Sequence, residues 1–236
     1  MIASALVMSN GAQRQCDLLL VAAHAPDLAG MRAFLGEKLD GQVRGLVIKT
    51  KVLGFGMAVA AASAARGIQA LSPRAVILVG TCGVFPGLPQ YRPYDVILPT
   101  RVQLADASVL ARKAAFPDPM QTSVDCHGLL RAAMAASAPR AAQATIASMM
   151  APIVDDALAA SLHGATGCDA DNGEIFGVAA ACQAANVPFA AVLGVSNLVG
   201  STGRHDWAQF QREAVTQAGQ CVGTWLHNGA QGLPHG

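Results

Sequence analysis

The sequence predicts an α/β fold, a three-layer α/β/α sandwich around a twisted, mixed but largely parallel central sheet. Continuous aliphatic runs such as residues 75–79 are typical of parallel strands buried on both faces. These runs alternate with alanine-rich segments of helical propensity, such as residues 57–66. Because no low-complexity linker interrupts the sequence, we expect one domain over residues 1–236, with residues 1–14 as a loose extension.

The elements follow one another as strand, turn and helix. Residues 16–23 predict a buried first strand, and residues 44–50 predict a second, which leads through a Gly-Phe-Gly turn into the helix. The strand at residues 75–79 is expected to end in a turn at residues 80–83. Further strands are predicted at residues 95–98, 144–149 and 189–195, and further helices at residues 129–137, 154–163, 174–185 and 205–226.

Composition restricts the class of ligand. A formal net charge of +1 gives no broad attraction to nucleic acid or to an anionic membrane. No run of about 18 apolar residues predicts a membrane span, and the N-terminus lacks a secretory signal, so we expect a cytoplasmic protein. The cysteines show no zinc-ligand spacing, which favours reduced, buried thiols. We expect a small-molecule ligand, with no metal and no cofactor.

Polar residues near the predicted strand ends are candidates for a site. Asp27, residues 80–83, Glu174 and Asn197 each follow or end an apolar segment, and ligands of open α/β sheets bind where strands end. Each also has an ordinary structural explanation. An acidic residue at a helix start interacts well with the helix dipole, and an asparagine caps a turn. The site exists only if the fold brings these residues together.

The order and spacing of these residues resemble the nucleoside phosphorylase and nucleosidase superfamily, over roughly residues 16–226. Residues 75–83, followed by residues 94–97, are similar to the family's strand, G-[ST]-x-G turn and G-D-[IV]-[IV] strand, with Tyr94 in place of the glycine. Residues 54–57 are similar to its G-x-G-K segment. The resemblance implies the family's α/β fold, a purine nucleoside as ligand and a homodimer.

The most specific block is residues 174–197. Glu174, an N-V-P-F run and the pair Ser196 and Asn197 hold the spacing of the family's ribose-binding glutamate, strand start and base-binding pair. The resemblance implies that the Glu174 carboxylate accepts hydrogen bonds from the ribose hydroxyls and supports positive charge at the anomeric carbon.

Asp27 falls where the hydrolases of the superfamily place a glutamate that activates water. It is one methylene shorter than glutamate, and His24 is a second candidate for the general base. The resemblance further implies that the Thr81 hydroxyl and the backbone N–H groups of Cys82 and Gly83 reach the substrate.

The superfamily contains phosphorylases as well as hydrolases. Its phosphorylases hold phosphate with arginines near the first strand and just before the G-[ST]-x-G turn. Here Leu78 occupies the second place and residues 23–31 contain no arginine, although Arg32 or Arg44 would be available from elsewhere. We therefore favour water as the nucleophile.

Asn197 bears on the leaving base. Adenine-releasing nucleosidases carry an aspartic acid here, and an amide cannot deliver a proton, so a 6-oxopurine is favoured. Gly177 after Glu174, together with residues 196–200 followed by Arg204 and Trp207, is similar to futalosine hydrolases of menaquinone biosynthesis, which release hypoxanthine. Arg204 or His205 would meet the carboxylate of the 5′-substituent; a solvated arginine and a packing tryptophan are equally consistent with the sequence.

Two departures keep other functions open. Gly173 stands where the family has a methionine against the ribose, and no aromatic residue for the purine is recognisable near residues 148–151, where Met149 or Met150 would take its place. The alternatives are a methylthioadenosine/adenosylhomocysteine nucleosidase, a purine nucleoside phosphorylase, and a nucleoside-binding protein without catalysis.

Overall fold

The computed structural model describes residues 15–235, so the extension predicted at residues 1–14 lies outside the described part. The strands are β1 Leu18–Ala22, β2 Gly41–Val43, β3 Leu46–Val52, β4 Ala75–Val84, β5 Val96–Leu104, β6 Ser123–Asp125, β7 Ala142–Ser148, β8 Ala170–Asp171 and β9 Phe189–Leu198. The helices are α1 Arg32–Leu35, α2 Met57–Leu71, α3 Ala107–Leu110, α4 Gly128–Ser137, α5 Asp156–Thr166, α6 Ile175–Ala184 and α7 Gly203–His227, and a 3-10 helix covers Ala25–Met31.

All of the strands belong to one mixed sheet. β3, β1, β4 and β9 run parallel to one another, which places their carboxyl ends at one edge. β2 extends this part of the sheet as an antiparallel strand on β3. Helices cover both faces, so the structure confirms the predicted α/β class with its mixed, largely parallel sheet.

The sheet also closes on itself, which the sequence did not indicate. β9 pairs with β4 on one side and with β5 on the other, β5 pairs with β7, β7 with β8, and β8 with β4. These five strands therefore form a continuous ring. The ring closes through the antiparallel pairs β5–β9 and β4–β8.

The core lies on both faces of the sheet because its strands are apolar at successive positions. Leu19 and Val21 of β1 pack in one cluster with residues of α2 and α6, whereas Leu18 and Leu20 pack in a second cluster with residues of α7 and α4. Successive side chains of a strand point to opposite faces, so an uninterrupted aliphatic run fills both layers.

No helix within residues 15–235 is long and apolar enough to cross a membrane.

Two predicted turns are strand instead. Residues 80–83 continue β4, with a register shift against β9 between Cys82 and Gly83, and Asn197 lies inside β9.

Tyr94 occupies the glycine position of the family pattern and adopts a glycine-like φ of 75°. Its N–H donates to the carbonyl oxygen of Val195 at 2.8 Å, which holds the loop before β5 against β9.

Gly177 sets how closely α6 approaches α2. A Cβ added there would lie 2.3 Å from the carbonyl oxygen of Met57, inside van der Waals contact with helix backbone. We predict that Gly177→Ala lowers the free energy of unfolding by about 1–3 kcal/mol or more, because backbone cannot yield as a flexible side chain does. Urea unfolding measures the change.

Gly164 provides the matched control. It also lies within a helix, α5, but a Cβ there would meet nothing within 4 Å. Gly164→Ala should therefore leave the free energy of unfolding unchanged or raise it by up to about 1 kcal/mol through helix propensity. Equal effects of the two substitutions would contradict the tight α2–α6 contact.

Candidate active site

A cavity of about 660 Å³ opens at the carboxyl ends of the parallel strands. Residues of β4 and β9 line its wall together with residues that follow β1 and β3, as expected for a ligand site in an α/β sheet. The predicted site residues that line it are Asp27, Thr81, Cys82, Gly83, Gly173, Glu174, Asn197 and Arg204. The fold therefore brings together residues that are separated by almost 180 positions in the chain.

Ser196 is the exception, because it does not line the cavity. Its side chain is fully buried, and it is the extra residue at the register shift, where the β4–β9 pairing passes from Val195 to Asn197. The Ser196 hydroxyl lies 2.8 Å from Asn197 Oδ1 and 3.2 Å from the carbonyl oxygen of Cys82. The Ser196 hydroxyl therefore contacts the side chain of Asn197, which does line the cavity.

Glu174 is held at the N-terminus of α6 with its carboxylate against the start of α2. The N–H of Gly56 donates to Glu174 Oε1 at 2.9 Å. Gly56 immediately precedes α2 and has a φ of 89°, a conformation that glycine adopts without strain. The glycine turn recognised in the sequence thus positions the Glu174 carboxylate.

Asn172 connects this carboxylate to β4, and the sequence analysis did not identify it. Its Oδ1 accepts hydrogen bonds from the N–H groups of Glu174 and Ile175 at 3.0 and 2.8 Å, which caps the first turn of α6. Its Nδ2 donates to the carbonyl oxygen of Thr81 at 2.9 Å. One amide therefore fixes Glu174 relative to the strand that carries Thr81.

Asp27 lies in the 3-10 helix after β1 with 7% of its surface exposed. Burial is the main reason that the pKa of Asp27 is raised from 3.8 to about 7; a backbone hydrogen bond at His24 opposes this rise, and the charge of Glu174 adds to it. His24, the other candidate base, instead packs its ring against Phe55, with centroids 5.2 Å apart. The structure favours Asp27 as the titratable group that faces the cavity.

Asp171 is a third cavity carboxyl, which the sequence analysis also missed. Burial is the main reason that the pKa of Asp171 is raised from 3.8 to about 7; the charge of Glu174 adds to this rise, and backbone hydrogen bonds at Gly83 and at Asp171 itself oppose it. Asp171 ends β8, a strand of two residues, opposite Gly83 of β4. The cavity therefore holds three carboxyl groups, of Asp27, Asp171 and Glu174.

Thr81 points its hydroxyl toward α7. Trp207 Nε1 donates to Thr81 Oγ1 at 3.2 Å, and both residues line the cavity. Trp207 therefore does more than pack, since it fixes the orientation of the one hydroxyl on this part of β4. The neighbouring Cys82 thiol is buried, and burial raises the pKa of Cys82, so the thiol stays neutral.

The remaining wall is largely apolar. Residues 149–154 between β7 and α5 line the cavity, with Met149 buried and Met150 exposed at the rim. Phe55 lines it as well and is 60% exposed, an aromatic residue that the sequence analysis had not singled out. Thioether and aromatic surfaces both suit the faces of a flat heterocycle.

Arg204 is the only cation among the cavity-lining residues of the described chain, whereas His205 lies outside the cavity. The loop before it is fixed by Asp156, whose carboxylate accepts from the N–H and the hydroxyl of Ser201 at 2.7 and 2.8 Å. Arg32 instead forms an ion pair of 3.1 Å with Glu37. Among the described residues, no cluster of His, Cys, Asp or Glu is placed to hold a metal ion.

Comparison with known families identifies the class of protein. The model of the phosphorylase superfamily matches residues 4–226, which is most of the chain. The chain therefore belongs to the phosphorylase superfamily, and the resemblance found in its motifs is confirmed. A comparison with curated protein sequences gave no match.

Solved structures show the same fold at low sequence identity. A methylthioadenosine/adenosylhomocysteine nucleosidase from Colwellia psychrerythraea, in complex with adenine, has a TM-score of 0.81 and 18% identity over 94% of this chain and 99% of its own. A nucleosidase of the same name from Neisseria meningitidis, bound to methylthio-immucillin-A, has a TM-score of 0.79 and 18% identity, covering 90% and 99%. Futalosine hydrolase from Helicobacter pylori has a TM-score of 0.79 and 13% identity, covering 91% and 98%.

The raised pKa of Asp27 predicts a pH-dependent stability. Between about pH 4 and about pH 7 the native carboxyl keeps its proton while the unfolded one releases it, so the free energy of unfolding falls as pH rises through this window. Asp27→Asn should reduce the difference in unfolding free energy between about pH 5 and about pH 8. Urea unfolding at the two pH values measures it.

Asp118→Asn is the control, because Asp118 lies on an exposed loop outside the cavity. It should leave the pH dependence as in the unsubstituted protein. An undiminished fall in stability for Asp27→Asn would show that Asp27 does not hold its proton near neutral pH.

Proposed function

We propose that this protein is a purine nucleosidase, which hydrolyses the N-glycosidic bond of a 5′-modified purine nucleoside. The observation that supports the proposal most directly is the cavity itself, in which Glu174 and Asp27 lie together beside a largely apolar wall. Membership of the phosphorylase superfamily supports the same class of substrate. The activity requires no cofactor.

The charge of the cavity favours water over phosphate as the nucleophile. Three carboxyl groups line it against the single guanidinium of Arg204. Phosphate binding in proteins relies on several N–H donors and cations, and a single guanidinium among carboxyl groups provides no such clamp. Leu78, at the place of a phosphorylase arginine, lines the cavity as an apolar residue, and Arg32 is paired elsewhere.

In the proposed reaction, the Glu174 carboxylate binds the ribose hydroxyls and opposes the positive charge that grows at C1′. Its hydrogen bond from Gly56 fixes it before substrate arrives, so little reorganisation accompanies the reaction. Asp27 accepts a proton from the attacking water, and a carboxylate with a pKa near 7 is a stronger base than an ordinary one. The Thr81 hydroxyl, held by Trp207, faces the same region.

The base side favours a 6-oxopurine. Asn197 accepts from Ser196 and donates to the carbonyl oxygen of Leu198 at 2.8 Å, which leaves one amide hydrogen for a ligand. The remaining amide hydrogen can donate to an acceptor such as purine O6, whereas the 6-amino group of adenine is itself a donor. Met149 and Phe55 supply apolar contact surface for the ring.

Our specific candidate is futalosine, cleaved to hypoxanthine and dehypoxanthine futalosine in menaquinone biosynthesis. Arg204 at the rim is the cation that would meet a carboxylate on the 5′-substituent. The likeness to nucleosidases for methylthioadenosine and adenosylhomocysteine supports those substrates equally, as the alternative.

We further propose that the protein is a cytoplasmic homodimer. The alternative from another class of function is a nucleoside-binding protein without catalysis.

The deciding assay measures purine release from futalosine, inosine and methylthioadenosine, each with and without phosphate. We predict phosphate-independent hypoxanthine release from futalosine, and a loss of turnover of at least about tenfold in Glu174→Gln, because a transition-state contact is removed. Glu213→Gln, on the exposed side of α7, is the matched control. Adenine release from methylthioadenosine would select the alternative substrate, and binding without release would select the non-catalytic alternative.

Arg204 tests the 5′-substituent separately. Arg204→Gln should raise KM for futalosine about tenfold or more while leaving that for inosine nearly unchanged, because only futalosine carries a carboxylate there. Arg212→Gln, an exposed change on the same helix but outside the cavity, should alter neither value. A similar rise in KM for both nucleosides would remove the carboxylate contact from the proposal.

A further inference from the structure

The carboxyl group of Asp171 lines the cavity, but it has no role in the reaction proposed above. Gly83 of β4 has Asp171 of β8 as its partner on one side and Asn197 of β9 on the other. A Cβ added to Gly83 would lie 2.9 Å from Asp171 Oδ1 and 2.7 Å from Asn197 Nδ2. The two polar groups therefore approach one another over a residue that has no side chain.

We propose that Asp171 is the general acid that protonates the departing purine, while Asn197 beside it orients the base. This inference rests on the proposed nucleosidase function. The chemistry requires such a group, because a 6-oxopurine leaves as an anion unless a proton reaches it, and the amide of Asn197 has none to give. Asp171 is the carboxyl that lies next to Asn197.

The proposed step transfers one proton to the purine and removes one from water. The C1′–N9 bond breaks with its electron pair going to the base, and the Asp171 proton passes to purine N7, which gives neutral hypoxanthine. Water forms the new C1′–O bond and loses its proton to Asp27. Asp171 then regains a proton from solvent, and Asp27 releases one, so the enzyme returns to its starting state.

The surroundings of Asp171 favour the protonated form of its carboxyl group. Glu174 at the start of α6 adds negative charge, and the Cys82 thiol of β4 is neutral and buried. The β7 residues that pair with β8, Ile146 and Ala147, carry no charge, and Asn197 of β9 is neutral. A pKa of about 7 leaves Asp171 largely protonated below neutral pH, as an acid requires.

Asp27 and Asp171 thus have opposite tasks. Asp27 must be ionised and Asp171 protonated, so kcat/KM should follow a bell-shaped pH profile with both limbs near neutral pH. Because each carboxyl interacts with Glu174, the two apparent values belong to the coupled group. The alkaline limb of the profile corresponds to deprotonation of the general acid, Asp171.

The test compares Asp171→Asn with the unsubstituted protein on two substrates, inosine or futalosine, whichever is cleaved, and 7-methylinosine. The 7-methylated base is already cationic and needs no proton at N7. We expect a loss of about 10²–10⁴-fold in kcat for the unmethylated nucleoside, disappearance of the alkaline limb, and a change of less than about threefold for 7-methylinosine. Asp118→Asn, outside the cavity, should change none of these.

Other outcomes would overturn the assignment. Equal losses on both substrates would indicate a structural role, and an unchanged rate with an intact alkaline limb would show that Asp171 is not the acid. If Asp171→Asn does not fold, Asp171→Glu should still move the alkaline limb, and an unmoved limb would count against Asp171. Absence of purine release by the unsubstituted protein would instead refute the nucleosidase proposal itself.

Discussion

The electrostatics of the cavity depend on three carboxyl groups placed in one partly desolvated space. Ionised carboxylates repel one another there more strongly than in water, so they cannot all carry charge at little cost. The Glu174 carboxylate accepts a hydrogen bond from the N–H of Gly56. Asp27 and Asp171, in contrast, have raised pKa values. A difference between neighbouring carboxyls is what separates a charge-stabilising group from groups that move protons.

The architecture produces this arrangement through short polar connections between long apolar strands. Asn172 ties the first turn of α6 to β4, and the Ser196 hydroxyl orients the side chain of Asn197. Each of these side chains forms two or more hydrogen bonds within the protein, which makes the polar wall rigid. The binding surface is thereby shaped before a ligand enters.

The sequence was sufficient to predict the long elements, since aliphatic runs and alanine-rich segments have clear periodicity. It also predicted the cavity residues that belong to recognised motifs, such as Glu174 and Asn197. Asp171 and Asn172 were missed because β8 has two residues and exists only through its pairing with β4 and β7, which no local pattern encodes. Glycines at positions 80 and 83 suggested a turn, although the strand continues through them.

The closed ring of strands has a consequence for how the chain reaches its native state. β4 and β5 are made early, but their shared neighbour β9 is Phe189–Leu198, more than a hundred residues after β4. Contacts this distant in sequence carry a loop-closure cost and slow folding. During synthesis, β4 and β5 must therefore wait with unpaired edges until the last strand emerges, which makes that interval the one in which aggregation competes with folding.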